Sequence, residues 1–322
     1  MIVVKQSVRE IKDLRPLERI ELAGRTCYNS LGNMAEGTAL KFVESLVRRG
    51  HYTPTEQVAI SIPTCLIEPR MYLVHDHIKK GMDYPRARLG YCTQECKGET
   101  VQAVMGTARA FFELGIAPEL LLDDSVAVVD DYVTLEFLTD RGIANEYVRH
   151  RALAYGDDGY VPSEVQHEEH IDEVALVQES TRYVNYNKKD FRIVLPEPCP
   201  WVYDTDSEQY KLWYNSCEAS YKAYKSMCGT GCAPQIARNV LPLSTATTVV
   251  MSGYISQWLA VLNLRLPKDA HPQARYLGAQ IFDVISPKFT MSNCGYYQGK
   301  SLKEYRDDIM SQIKHERTEP NE

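Results

Sequence analysis

Residues 132–151, Tyr-Val-Thr-Leu-Glu-Phe-Leu-Thr-Asp-Arg-Gly-Ile-Ala-Asn-Glu-Tyr-Val-Arg-His-Arg, change period halfway. Tyr132, Thr134, Glu136 and Leu138 alternate with Val133, Leu135 and Phe137, the period of a strand with one buried face. Asp140 then stands at a helix N-cap position, and the helix beginning near Arg141 carries Glu146 to Arg151. On that helix Glu146, Arg149 and His150 are spaced i, i+3 and i+4 and share a face, whereas Arg151 points away. A strand feeding such a helix holds polar groups rigidly. Arginine forks suit phosphates and the carbonyl edges of planar rings better than lysine does. Taken alone, the Arg-His-Arg run is also what a solvated helix end looks like.

It does not stand alone. Gln178-Glu179-Ser180-Thr181-Arg182-Tyr183 gathers a carboxylate, two hydroxyls and a guanidinium. Gly50-His51-Tyr52-Thr53-Pro54-Thr55-Glu56 follows a helical run upstream. Ala237-Arg238-Asn239-Val240-Leu241-Pro242-Leu243, Leu262-Asn263-Leu264-Arg265 and Ala270-His271-Pro272-Gln273-Ala274-Arg275 come later. In this order the segments resemble the motifs of the flavin-dependent thymidylate synthases, the ThyX family, the last more loosely than the rest. The resemblance implies an α+β fold, a mixed sheet packed with helices and a helical C-terminal part. It implies a single domain over residues 1–322, with inserted segments at about 64–130 and 155–174 and a polar tail at about 301–322.

For the site, the resemblance implies FAD held by His51, Thr53, Arg149, His150, Arg151, Gln178 and Glu179. It implies dUMP held by Glu146, Arg149, Glu179, Ser180, Thr181, Arg182, Arg238 and Arg265, with Arg238 and Arg265 stabilising charge on the pyrimidine carbonyl edge. NADPH as reductant, 5,10-methylenetetrahydrofolate as carbon donor and a homotetramer with shared active sites follow from the same likeness. No histidine base at a defined distance from Ser180 can be read from the sequence, so Ser180 is assigned to substrate binding rather than covalent attack. Two alternatives stay open on these residues: a same-fold hydroxymethylase of dUMP or another pyrimidine nucleotide, and a nucleotide-binding relative without turnover.

The chain departs from the family pattern in two places. Between Arg151 and Ser180 lie 28 residues, Ala152 to Glu179, where the family has a much shorter link. Within them Tyr155 to Val174 carries Asp157, Asp158, Glu164, Glu168, Glu169, Asp172 and Glu173 without lysine or arginine, which predicts an exposed loop. Tyr254, Ser256, Gln257 and Ala260 stand where short members place flavin contacts.

Composition bounds the remaining classes. Across 322 residues, 44% hydrophobic and 25% charged is ordinary for a globular protein with a sizeable core. A net charge of −7 argues against bulk nucleic-acid binding, so an anionic ligand has to be met by a local arginine cluster. Nine unpaired-looking cysteines and the lack of a long apolar span predict a reduced cytoplasmic protein, in the host cytoplasm if phage-encoded, with no membrane partner. No Gly-x-Gly-x-x-Gly fingerprint follows a strand, against a Rossmann flavoprotein. Cys92 with Cys96 and Cys228 with Cys232 are too loosely spaced to predict a metal; His75 with His77 could bind one on a strand but reads better as a surface pair, and His167 with His170 as solvated in an acidic loop.

Elsewhere the periods predict a strand at Ile2 to Val4 and helices from about Leu14 to Tyr28 and from Ala39 to Arg49. A half-buried strand is expected at Val58 to Pro63 and a helix from about Thr100 to Leu114. Phe191 to Trp201 reads as a strand and a proline-rich turn, and Ser207 to Met227 as a long helix with an aromatic stripe. Pro234 opens a helix that Pro242 interrupts, and another is expected from about Thr245 to Leu264. After Lys300 the chain is polar, and its last residues are expected to fray.

Overall fold

The protein is described by a computed structural model over residues 1–80, 89–152, 174–182, 184–187, 190–289, 296–297 and 300–318; of residues 149–152, 296–297 and 315–318 only the backbone is described. Strands β1 (Ile2–Val4) and β2 (Ser7–Glu10) lead into helices α1 (Pro16–Cys27) and α2 (Thr38–Arg48). The two helices cross closely at Gly24, where a Cβ would meet the Phe42 ring at 2.5 Å. A 3-10 turn, Thr53–Gln57, then enters β3 (Ala59–Pro63). Next come α3 (Met71–Lys80), β4 (Leu89–Cys96), β5 (Glu99–Thr107), α4 (Ala108–Glu113) and β6 (Ala127–Val128), which with β3 build an antiparallel sheet of order β4-β5-β3-β6.

The quoted stretch becomes β7 (Tyr132–Asp140) and α5 (Arg141–Ala152), as its change of period predicts. After it come β8 (Ala175–Gln178), β9 (Arg192–Val194), α6 (Glu208–Gly229), α7 (Pro234–Ala237), β10 (Ala246–Tyr254), α8 (Ile255–Arg265) and α9 (Pro272–Ile285). A short hairpin, β11 (Tyr296–Tyr297) with β12 (Lys300–Ser301), precedes α10 (Leu302–Thr318). The central sheet is antiparallel, in the order β2-β7-β10-β8, and β1 pairs in parallel with β9. Leu135, Met251 and Leu176 line up across it, and with Val133, Phe137 and Val249 they face the main core under Tyr147 of α5, Trp258 of α8 and Leu277 and Ile281 of α9.

Several expectations are corrected. Residues 100–107 are strand rather than helix, and the helix starts only at Ala108; Thr100, Val101, Val104 and Thr107 supply the β-branched side chains that fit a pleated surface. The same holds for Thr245 to Leu264, whose first half is β10. Thr247, Thr248, Val249 and Val250 form its β-branched centre, and burial on both faces erases the alternation that marks a half-buried strand. Strand β3 is buried at every position and β7 at nearly every one, rather than on a single face. The second face of β7 is met by the 3-10 turn: Tyr132 Oη donates to the Glu56 carbonyl at 2.6 Å and Thr134 Oγ1 to that of Gln57 at 2.9 Å.

The polar tail is corrected as well. Leu302, Tyr305, Ile309 and Ile313 recur at i, i+3 and i+4 spacing and are buried in the main core as one stripe of α10. Of the acidic insertion, residues 155–173 lie outside the described residues, and Val174 is fully buried rather than exposed.

Asp140 ends β7 and caps α5. Its Oδ1 accepts from the Ile143 amide at 2.7 Å and its Oδ2 from Gln273 Nε2 at 2.8 Å, so one carboxylate ties α5 to α9. Burial pushes its pKa above the ordinary aspartate value, against the lowering effect of those two donors.

Two stability measurements test this frame. Ile309→Ala should lower the unfolding free energy by about 2–5 kcal/mol, as for other fully buried aliphatic truncations, in urea denaturation. A change within the scatter of surface mutations would show that Ile309 is not part of the core; the last residues, 319–322, where fraying is expected, lie outside the described residues. Because the folded-state pKa of Asp140 is raised, its contribution is present below the ordinary aspartate value of about 3.9 and is lost as pH rises through the raised value. Asp140→Asn lacks this titration, so the stability difference between wild type and variant should move in the variant's favour across that window. A difference that does not change with pH would show that Asp140 titrates normally.

Candidate functional site

The start of α5 is fastened by backbone and side chain together. The Arg141 amide donates to the carbonyls of Leu243 and Thr245 at 3.0 and 3.1 Å, and Arg141 Nη2 donates to the Glu179 carbonyl at 2.8 Å. This draws the segment after β8 toward the loop before β10. The segment itself is held by α1: the Ser180 amide donates to the Cys27 carbonyl at 2.9 Å, and Asn29 Nδ2 donates to Glu179 Oε1 at 2.8 Å. Asn29 has φ +48°, a left-handed conformation that asparagine tolerates. Burial pushes the Cys27 thiol up to about 11, so it is not a ready nucleophile.

Arg238 follows α7, and its Nη1 donates to Thr181 Oγ1 at 2.6 Å. Arg141, Arg238, Thr181 and Asn239 line a cavity of about 250 Å3 whose remaining wall is Leu241, Pro242, Leu243 and Thr245. Its lining holds two guanidiniums, two threonine hydroxyls and an amide, with no carboxylate side chain. That set matches an oxyanion with several acceptor oxygens. Ser180 Oγ accepts from the Arg182 amide at 3.3 Å, and Arg182 itself is exposed on the same turn. Gln178 Nε2 donates to Thr247 Oγ1 at 3.3 Å.

Leu243, exposed at its side chain, also lines a second cavity of about 490 Å3. Here Asp140, Glu146, His271 and Gln273 face Trp201 and Trp213, whose ring centroids are 6.1 Å apart. Glu146 holds Arg265: Arg265 Nη1 reaches Glu146 Oε2 at 3.1 Å, Nη2 donates to the Glu146 carbonyl, and the guanidinium lies 5.7 Å from the Tyr147 ring. Burial pushes the Tyr147 hydroxyl up, and it donates to the Ala274 carbonyl at 2.9 Å, so it is structural.

The structure thus brings Thr181 and Arg238 to one cavity, with Ser180 and Arg182 on the adjoining turn. It pairs Arg265 with Glu146, which lines the other. His51 is exposed and Thr53 half-buried, just past Gly50, which turns the chain at φ +68°; the turn Thr53–Gln57 packs against β8, the strand that ends in Gln178. The Glu179 carboxylate is 4% exposed and turned inward to Asn29. The backbone of Arg149, His150 and Arg151 continues α5, but their side chains lie outside the described residues, as does Tyr183. Among the described residues no group of three or more His, Cys, Asp and Glu is gathered to hold a metal ion, and no helix is long and apolar enough to cross a membrane.

Sequence reasoning missed Arg141, Asn29 and Asn239. Arg141 did carry a signal, because a cation in a helix's first turn opposes the macrodipole and needs another reason to be there. Asn29 carried none, since its partner is 150 residues away.

Residues 131–289 match the family described as thymidylate synthase complementing protein (Thy1), a span that holds every site residue above except His51, Thr53 and Asn29. A probable flavin-dependent thymidylate synthase of Paramecium bursaria Chlorella virus 1 is 33% identical over 140 residues, 42% of this chain and 56% of that one. Flavin-dependent thymidylate synthases of Synechocystis sp. and Thermosipho melanesiensis are 25% and 31% identical, covering 44% and 32% of this chain and 60% and 43% of theirs. The chain therefore spans about half the length of these relatives. A solved UMP/dUMP methylase, PolB from Streptomyces cacaoi bound with 5-Br dUMP, aligns over 89% of this chain and 93% of that one at 14% identity, with a TM-score of 0.39 too low to bear on the site. Over residues 131–289, just under half of the chain and the span that carries the two cavities, the sequence matches the Thy1 family, and the relatives it resembles there are flavin-dependent thymidylate synthases.

Proposed function

We propose that this chain catalyses the reductive methylation of dUMP to dTMP, with 5,10-methylenetetrahydrofolate as carbon donor and NADPH as reductant, through a bound FAD. The observation that carries the reading is the carboxylate-free cavity where Arg141, Arg238 and Thr181 converge from three separate parts of the chain. A nucleotide phosphate is the ligand such a set meets best, with Ser180 and Arg182 on the adjoining turn.

The residues present also fit a flavin. The exposed His51 and the half-buried Thr53 sit at a turn packed against one face of β8 and would present polar groups from there, while Gln178 shares the opposite face with Leu176. Arg149, His150 and Arg151 at the end of α5 would complete that set. When bound, FAD supplies the hydride that the methylation needs. The chain's own part is to bind and orient. Glu146 immobilises the Arg265 guanidinium, which leaves a planar donor group preorganised for charge on a pyrimidine carbonyl. Arg238 and Arg141 anchor the other end of the nucleotide. Ser180 Oγ is engaged by the Arg182 amide and serves positioning. A homotetramer with shared sites and a reduced cytoplasmic setting belong to the same proposal.

The experiment is the absorbance spectrum of the purified protein, followed by anaerobic NADPH and then by product analysis with dUMP. A flavin band that NADPH bleaches, with dTMP as product, is expected. A hydroxymethylated nucleotide would select the hydroxymethylase, and a colourless dUMP-binding protein the relative without turnover. Arg238→Ala should weaken dUMP binding about 10- to 150-fold, the loss of one charge-assisted hydrogen bond at about 1.5–3 kcal/mol, and change FAD binding less. An unchanged dUMP dissociation constant by calorimetry would remove Arg238 from the phosphate anchor.

A further inference from the structure

Arg109 opens α4 in the segment before the family-matched span, and the chemistry proposed above makes no use of it. Its Nη1 donates to Glu56 Oε1, and its Nε donates to Glu113 Oε1 at 2.8 Å. The Glu56 side chain is fully buried and that of Arg109 is 18% exposed. A buried carboxylate is tolerated only where a cation and hydrogen bonds offset its lost hydration, so this pair holds Glu56 and Arg109 to one arrangement. The same guanidinium lies 5.9 Å from the Tyr52 ring centroid, which extends its reach back into the loop that carries His51 and Thr53.

The turn is gripped from the opposite side as well. Tyr132 Oη and Thr134 Oγ1 bond the carbonyls of Glu56 and Gln57, and Ser252 Oγ donates to Gln57 Oε1 at 2.7 Å. Those contacts act on residues 56 and 57. Arg109 acts on Glu56 within the turn and on Tyr52 just before it, from α4, which directly follows β5 of the β4-β5-β3-β6 sheet; Glu113 one turn on orients it within that helix.

We propose that Arg109 is a positioning residue, fixing the His51–Thr53 loop against β8, so that the segment 64–130 serves the flavin site from outside the matched span. This rests on the function proposed above.

The test uses the full chain with Arg109→Met and Arg109→Lys, at a temperature where circular dichroism shows each variant folded. For Arg109→Met the FAD dissociation constant, read by flavin fluorescence, should rise at least about tenfold, which is about 1.4 kcal/mol, while dUMP affinity stays at the wild-type value. Lysine keeps the charge but not the fork that spans Glu56 and Glu113, so Arg109→Lys should fall between the two. Tryptic cleavage after the exposed Arg48 and Arg49, just before the loop, should accelerate in Arg109→Met relative to cleavage elsewhere. Wild-type FAD affinity in a folded Arg109→Met overturns the proposal whatever the cleavage shows. If Arg109→Met does not fold, wild-type FAD affinity in Arg109→Lys overturns it instead. A wild-type chain that binds no FAD refutes the function itself; cleavage then decides separately, and an unaltered rate would show that Arg109 does not hold the loop.

Discussion

The carboxylate of Asp140 is the joint on which the site depends. A strand that ends in a helix leaves amides without partners, and here one side chain answers an amide of α5 and the side-chain amide of Gln273 on α9. Because the joint is buried, the direction of α5 is not free to drift, and everything that α5 carries inherits that direction. Arg141 at its first turn and Glu146 one turn and a half later therefore serve two different cavities from one rigid rod. The backbone of Arg141 adds a second tie, to the loop that brings in Leu243.

The two cavities divide their chemistry along Leu243. One is walled by guanidiniums and suits an oxyanion; the other carries Asp140, Glu146 and two tryptophans and suits a flat ring with hydrogen-bond donors. Arg265 is paired with Glu146, which lines the second, so it offers direction rather than net charge. This is how a chain of net charge −7 holds cations where they are needed: each guanidinium is oriented by a local acceptor, whether Glu179 O, Thr181 Oγ1 or Glu146.

What was legible in the sequence was whatever depends on local spacing. The strand-to-helix switch at Asp140, α1, α2 with its stop before Gly50, and α6 all follow from periodicity and capping. The motif residues that converge on the oxyanion cavity, Thr181 and Arg238, were legible through family likeness. What misled was burial on two faces. In β10 no polar side alternates, and the run reads as helix until pairing with β7 and β8 decides otherwise; in β5, where Thr100 and Gln102 are exposed, the expected helix instead extends back from Ala108 over the strand. Asn29 and Arg109 were not legible because each acts on a partner distant in sequence, Glu179 for the first and Glu56 for the second; Arg141 stood out only by its place in a first turn, and its partner Glu179 did not. A charged side chain looks the same on the page whether solvated or bonded.

The docking of α10 has a consequence for how the molecule comes to exist. Its Leu302, Tyr305, Ile309 and Ile313 complete the same core that lies beneath β7, α5 and α8. On the ribosome, that core stays open along one side until residue 313 has cleared the exit tunnel, well after both arginine-bearing helices have been synthesised. The nascent chain therefore passes through a stage with its site elements made and a hydrophobic flank uncovered, the condition under which chaperone capture competes with folding.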